Sequence, residues 1–190
     1  PTELLSRFNP STNEVKYHWL PKEVKNLRAI RHDGKGNIWL SSSPKYEGYA
    51  FLVKLSIASE TFTYYSPSEE RRAVHDILVD GKYLWVTGWD AVRKVDADTG
   101  YVTEKYATSS NPCMLTKAPD GSIWFSMNKV QKVAKLSGGI ITEHALNLLD
   151  ETENPADAPY GLVFDSSGKL WIAGYNAKSI LGFSASTGLV

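Results

Sequence analysis

Cysteine is almost absent from this 190-residue chain, with Cys113 alone. That excludes an internal disulfide framework and any zinc site built on several thiolates. An excess of charge is missing too, because 21 Lys and Arg stand against 21 Asp and Glu. The chain therefore reads neither as a basic nucleic-acid binder nor as an acidic tail. No run approaches the roughly 18 apolar residues of a membrane span, and no apolar segment near the start suggests a signal peptide. There is no Gly-x-Ser-x-Gly elbow, phosphate loop or His-Glu-x-x-His pattern. The single Asn-x-Ser/Thr match, at Asn9-Pro10-Ser11, is excluded by its proline. The first residue is Pro1 rather than Met, which reads as a processed chain or a fragment. Aromatic residues, by contrast, are abundant: 12%, with six Trp and ten Tyr. They favour β structure.

Four segments share one pattern: a Gly-containing turn, an apolar residue, Trp, another apolar residue and usually a hydroxyl. They are Asp33-Gly-Lys-Gly-Asn-Ile-Trp-Leu-Ser41, Asp80-Gly-Lys-Tyr-Leu-Trp-Val-Thr87, Asp120-Gly-Ser-Ile-Trp-Phe-Ser126 and Ser167-Gly-Lys-Leu-Trp-Ile-Ala173. Trp39, Trp85, Trp124 and Trp171 are 46, 39 and 47 residues apart. A short apolar strand follows each Trp, then a tight polar turn and, in three units, another β-rich segment; one further strand precedes each motif. Four short antiparallel strands repeated at this period describe the blade of a β-propeller. The runs Ile38-Trp39-Leu40 and Ile123-Trp124-Phe125 are continuously apolar, as a strand covered on both faces requires. The four tryptophans are accordingly expected to pack blade against blade.

The ends carry matching third strands, Leu4 to Phe8 and Ile180 to Phe183. The expected organisation is an outer half-blade at 1–20, blades at 27–66, 73–107 and 111–147, and a blade lacking its last strand at 158–190. This favours part of a six- or seven-bladed ring. The rival is a four-bladed ring in which Glu14 to His18 supplies the last outer strand.

The run Pro159-Tyr-Gly-Leu162 leading into Asp165-Ser-Ser-Gly-Lys-Leu-Trp171, with Ile180 and the final Thr-Gly turn, resembles the repeat of the virginiamycin B lyase (streptogramin lyase) family. Periplasmic sensor propellers with Gly-Asn-Ile-Trp turns are also similar. The resemblance implies a propeller and, by family alone, an extracellular or periplasmic setting. It also implies a ring-opening elimination that uses magnesium with a histidine and glutamates on the top-face loops. The family glutamate stands three residues after the blade Trp; here those positions are Ser42, Gly88, Met127 and Gly174, and none is acidic. The four histidines, His18, His32, His75 and His144, also stand elsewhere.

Aligning the units puts Arg28, His75, Cys113 and Tyr160 in one column at the start of the inner strand. Arg28, His75 and Tyr160 are candidates for holding an anionic or polar ligand, or they simply fill the axis by bonding each other. Cys113 reads as an apolar filler. The loops after the second strands carry Lys45-Tyr46, Trp89-Asp90, Asn128-Lys129 and Tyr175-Asn176; exposed aromatics beside polar groups typify recognition surfaces. Trp89 and Tyr175 are the leading candidates there, with Asp90 and Asn128. His75 and Asp76 should not pair, since adjacent strand residues face opposite ways. Asp96-x-Asp98 is expected to be a hairpin turn rather than a calcium loop, and Asp150 to Asp157 a solvated loop.

The preferred expectation is a non-catalytic binding or scaffold propeller without cofactor, meeting a protein, glycan or small polar ligand on its top face. Its partners would be such ligands, other chains or the remainder of its own propeller, not nucleic acid. The alternative is a lyase- or lactonase-type enzyme dependent on magnesium or calcium.

Overall fold

The computed structural model describes residues 4–42, 52–66, 74–88, 90–146, 159–174 and 180–184. Apart from one 3-10 turn at Asn128–Val130, its regular structure is all antiparallel β. Among the described residues no helix is long and apolar enough to cross a membrane. The chain divides into two compact units, Pro1–Val74 and His75–Val190.

The first unit opens with a two-stranded sheet of β1 (Leu4–Asn9) and β2 (Glu14–Trp19). A four-stranded blade follows, in the order β3 (Leu27–His32), β4 (Asn37–Ser42), β5 (Leu52–Ser56) and β6 (Thr61–Tyr65). Leu5, Leu20 and Val24 close over Leu27, Ile38, Leu40, Val53 and Phe62 in one apolar cluster. Lys16 Nζ, 2.6 Å from Glu60 Oε2, ties the outer strand of the half-blade to the next blade's hairpin turn.

The second unit holds two four-stranded blades and a three-stranded one. The first is β7 (Val74–Asp80), β8 (Tyr83–Gly88), β9 (Ala91–Asp96) and β10 (Val102–Ala107). Next come β11 (Leu115–Lys117), β12 (Ile123–Met127), β13 (Lys132–Ser137) and β14 (Ile140–Ala145), and finally β15 (Pro159–Phe164), β16 (Leu170–Gly174) and β17 (Ile180–Phe183).

The tryptophans sit where a doubly covered strand puts them. Trp124 is fully buried among Ala118, Val133 and Leu146 of its own repeat and Leu170, Ile172 and Phe183 of the next blade. Each Trp of the four-stranded blades stands opposite a third-strand lysine: Trp39 with Lys54, Trp85 with Lys94, Trp124 with Lys135. Their ammonium groups lie 5.4, 5.3 and 5.9 Å from the facing rings, within cation–π range. An outer-strand ring covers each indole as well: Tyr65 at 5.8 Å, Tyr106 at 6.1 Å and His144 at 5.4 Å.

The last blade departs from this scheme. Opposite Trp171 stands Gly182, and Lys169, two residues before the Trp in the chain, places its Nζ 5.1 Å from the ring. A Cβ on Gly182 would meet Lys169 Cε at 2.3 Å, so the glycine is the space that this substitute lysine occupies. With no outer strand among the described residues of that blade, Trp171 stays 38% exposed. The expectation that all four indoles are sandwiched therefore fails at this one.

The turns before the Trp strands share one device. Asp33, Asp120 and Asp165 each fold a carboxylate back onto amides of their own turn. Lys135, together with Ser122, holds the Asp120 carboxyl down at about 2. His144, stacked on Trp124, is shifted down as well: burial, then the nearby Lys135, lower its pKa below 6.5. Because the unfolded chain then takes up protons more readily, this part of the stability is complete above pH 6.5 and falls as pH drops below it. In an NMR titration the His144 ring protons should report a midpoint below 6.5, and His144→Phe should flatten that arm of the stability profile. A midpoint at or above 6.5 would contradict the packing.

Candidate functional site

The hydroxyl that follows the Trp motif organises the inner strands. Ser41, Thr87 and Ser126 accept the amides of Ala29, Asp76 and Met114 at 3.0, 3.1 and 3.1 Å. In the second unit two of them also donate to the following blade: Thr87 to the Cys113 carbonyl, and Ser126 to the Tyr160 carbonyl at 2.9 Å. The residue just before each accepted amide is thereby placed alike in its blade. Those residues are Arg28, His75 and Cys113, with Tyr160 as the fourth member. In the last blade Ala173 holds the hydroxyl's place. Register shifts between Leu27 and Ile30 and between Pro159 and Leu162 flank this column in two blades; such bulges re-aim side chains.

His75 and Cys113, 38 residues apart in the chain, come together here. Cys113 Sγ is 3.5 Å from His75 Nδ1 and accepts from Asn128 Nδ2 at 3.8 Å. The thiol is buried, while the imidazole and the amide are half-exposed, so two hydrogen-bonding heads face outward over a sulfur. Tyr160 is half-buried and Arg28, in the first unit, is exposed.

The neighbouring carboxylates are engaged in holding the fold. Asp76 is fully buried; its Oδ1 accepts Ile77 N at 2.8 Å and its Oδ2 accepts Leu115 N of the next blade at 2.9 Å. It points away from His75, as strand alternation requires. Asp90 bonds Arg93 Nη2 at 2.7 Å and Lys105 Nζ at 3.2 Å. Burial raises its pKa, but these two cations outweigh that and keep the carboxyl below its ordinary range. Asp96 folds over Asp98 N and Thr99 N at 3.0 and 2.9 Å, an Asx turn within its hairpin.

Trp89 and Tyr175 lie outside the described residues, as do Lys45, Tyr46, Asn176 and the stretch 150–157. The positions of the family glutamate, Ser42 and Met127, are fully buried, and Gly88 is buried with them. Among the described residues no three His, Cys, Asp or Glu side chains lie close enough together to hold a metal ion. Sequence reasoning missed the roles of Thr87, Ser126 and Asp76. The recurring hydroxyl after the Trp strand was the available signal for the first two.

Blades of four antiparallel strands, keyed within the second unit from one blade to the next by a second-strand hydroxyl, define a β-propeller. No family model and no curated protein matches this chain by sequence. By structure it is similar to virginiamycin B lyase from Staphylococcus aureus, with a TM-score of 0.80 at 17% identity over 96% of this chain. It resembles a chain of the mitotic checkpoint complex at TM-score 0.74 and 14% identity, covering 98% of this chain and 57% of that one. A further likeness is to the extracellular domain of a one-component system from B. thetaiotaomicron, at 0.68 and 15%, covering 95% of this chain and 28% of that domain. The chain spans 60% of the lyase's length. At these identities the likeness is one of fold.

Proposed function

We propose that this protein is a non-catalytic recognition propeller that binds a polar ligand, glycan or protein segment at the end of the blades where the inner strands begin. One observation carries the reading. Asp76 and Asp90 spend oxygens on Ile77, Leu115, Arg93 and Lys105, whereas the imidazole of His75 and the amide of Asn128 are half-exposed. A site of imidazole, amide and phenol groups both donates and accepts hydrogen bonds, the chemistry that recognition of a polar ligand needs. Tyr160 and the loop residues Trp89 and Tyr175 complete the proposed surface. Aromatic rings of those loops would stack on a sugar or side chain.

The test is a titration of isotope-labelled protein with a glycan and peptide panel. The expected result is saturable shifts at His75 and Asn128, weakened about tenfold or more by Trp89→Ala or Tyr175→Ala, a loss of roughly 1.4 kcal/mol. Shifts that leave both residues unmoved would overturn it. The fold likeness to a lyase supports a second reading, a magnesium-dependent opening of a streptogramin such as quinupristin. Turnover abolished by EDTA and restored by magnesium would establish that reading instead.

A further inference from the structure

A groove of about 530 Å³ lies between the first and second blades of the second unit, at the end where the inner strands finish. Both blades have all four strands, so each wall is complete. One wall is the face of β9 and β10. There Lys94 Nζ bonds Glu104 Oε1 at 2.8 Å, and the Tyr106 hydroxyl donates to the other oxygen of the same carboxylate. Lys94 first, then Tyr106, hold the Glu104 carboxyl below its ordinary range. The opposite wall is the turn at Asp120, whose carboxylate accepts from the Ser122 hydroxyl at 2.5 Å, and the hairpin turn of Gly138 and Gly139.

The repeat shows what bridges such a junction in the first unit. The residue just before each outer strand is left-handed: Asn13, Glu60, Gly100 and Gly139 have φ of 57°, 55°, 74° and 81°. Glu60 uses that position to bond Lys16 on the preceding outer strand, and the space left there is about 160 Å³. Register makes Glu104, opposite Lys94, the counterpart of Lys16, opposite Arg7. The counterpart of Glu60 is Gly139, which has no side chain to reach across. A Cβ there would meet Tyr106 Cε1 at 3.8 Å, and one on Gly138 would stand in open space. The bare hairpin thus leaves the Tyr106 ring, packed on Trp85 at 6.1 Å, half-exposed in the groove.

We infer that this groove is a second ligand site, shaped for a neutral sugar ring and separate from the surface at the opposite end of the blades. A pyranose offers an apolar C–H face and a rim of hydroxyls that donate and accept. Tyr106 supplies a ring for that face. Lys94 donates, Glu104 and Asp120 accept, and Ser122 does both, so neighbouring hydroxyls meet partners of either kind. Glycine at 138 and 139 lets a rigid ring approach the main chain closely. The volume falls within the usual span of small-molecule sites. Among the lining residues two carboxylates stand against the one ammonium of Lys94, which disfavours an acidic or phosphorylated ligand.

The experiment titrates the isotope-labelled whole chain with the methyl β-glycosides of glucose, galactose and N-acetylglucosamine, followed by amide shifts. At least one of them should give saturable shifts at Ser122, Gly138 and Gly139. Gly139→Asn should weaken that binding at least tenfold with the thermal midpoint unchanged. Asparagine tolerates the left-handed conformation, as Asn13 does at the equivalent position, and its side chain would occupy the groove. Glu104→Gln should weaken binding several-fold. No saturable shift with any of the three glycosides, or shifts undiminished by Gly139→Asn, would overturn the inference. Shifts confined to His75 and Asn128 would overturn this site while supporting the one proposed above. Tighter binding of glucose 6-phosphate than of the glucoside would overturn the neutral class of ligand.

Discussion

Trp124→Ala is expected to be the most damaging single substitution in the second unit, costing about 3–5 kcal/mol, the range for truncating a large buried aromatic. The indole is fully buried, with His144, Phe164 and Phe183 at 5.4, 5.9 and 5.8 Å. Removing it empties the layer between two blades and leaves Lys135 without its aromatic face. Whole-domain stabilities lie near 5–15 kcal/mol, so the urea midpoint should collapse or the unit should fail to fold. Trp171→Ala supplies the control. That ring is 38% exposed, and its loss should cost roughly a third as much or less, since exposed surface contributes little burial energy. Equal losses at the two positions would refute the assignment of inter-blade packing to the buried member.

Asp76→Asn should have the second-largest effect, about 2–4 kcal/mol, despite being nearly isosteric. Both carboxylate oxygens accept backbone amides, from Ile77 and from Leu115 of the following blade, in a fully buried setting. An amide side chain can offer an oxygen to only one of them. Its NH2 then faces an N–H, and a buried donor left unsatisfied costs about 1–3 kcal/mol in addition to the lost charged bond. Asp76→Ala strands both amides and should be worse still. Denaturation together with amide exchange at Leu115 distinguishes this from a surface effect. Unchanged exchange there would show that Asp76 does not bridge the blades.

The blade architecture was legible because its cues are local. An Asp-Gly turn followed by an apolar–Trp–apolar triplet specifies a hairpin and a doubly covered strand within ten residues, and the period then orders the units. What stayed hidden depends on distance. Cys113 and His75 meet only because consecutive inner strands start at the same level, and nothing in either segment announces it. Lys169 was invisible as a substitute for a third-strand cation because it reaches Trp171 from the preceding turn, a consequence of the space beside Gly182. The exposure of Trp171 goes with the absence of an outer strand over it among the described residues. Of the candidate residues, Asp90 stands between Arg93 and Lys105. An acidic residue three positions before an arginine was the available hint.

The Thr87 and Ser126 hydroxyls each bond backward to their own repeat and forward to the one after it. Such a connector asks nothing of a neighbour beyond a main-chain carbonyl, which every residue supplies whatever its side chain. At this bond successive modules can therefore diverge in sequence, and the side-chain demands of the junction fall on the apolar layer around Trp124 and on Asp76.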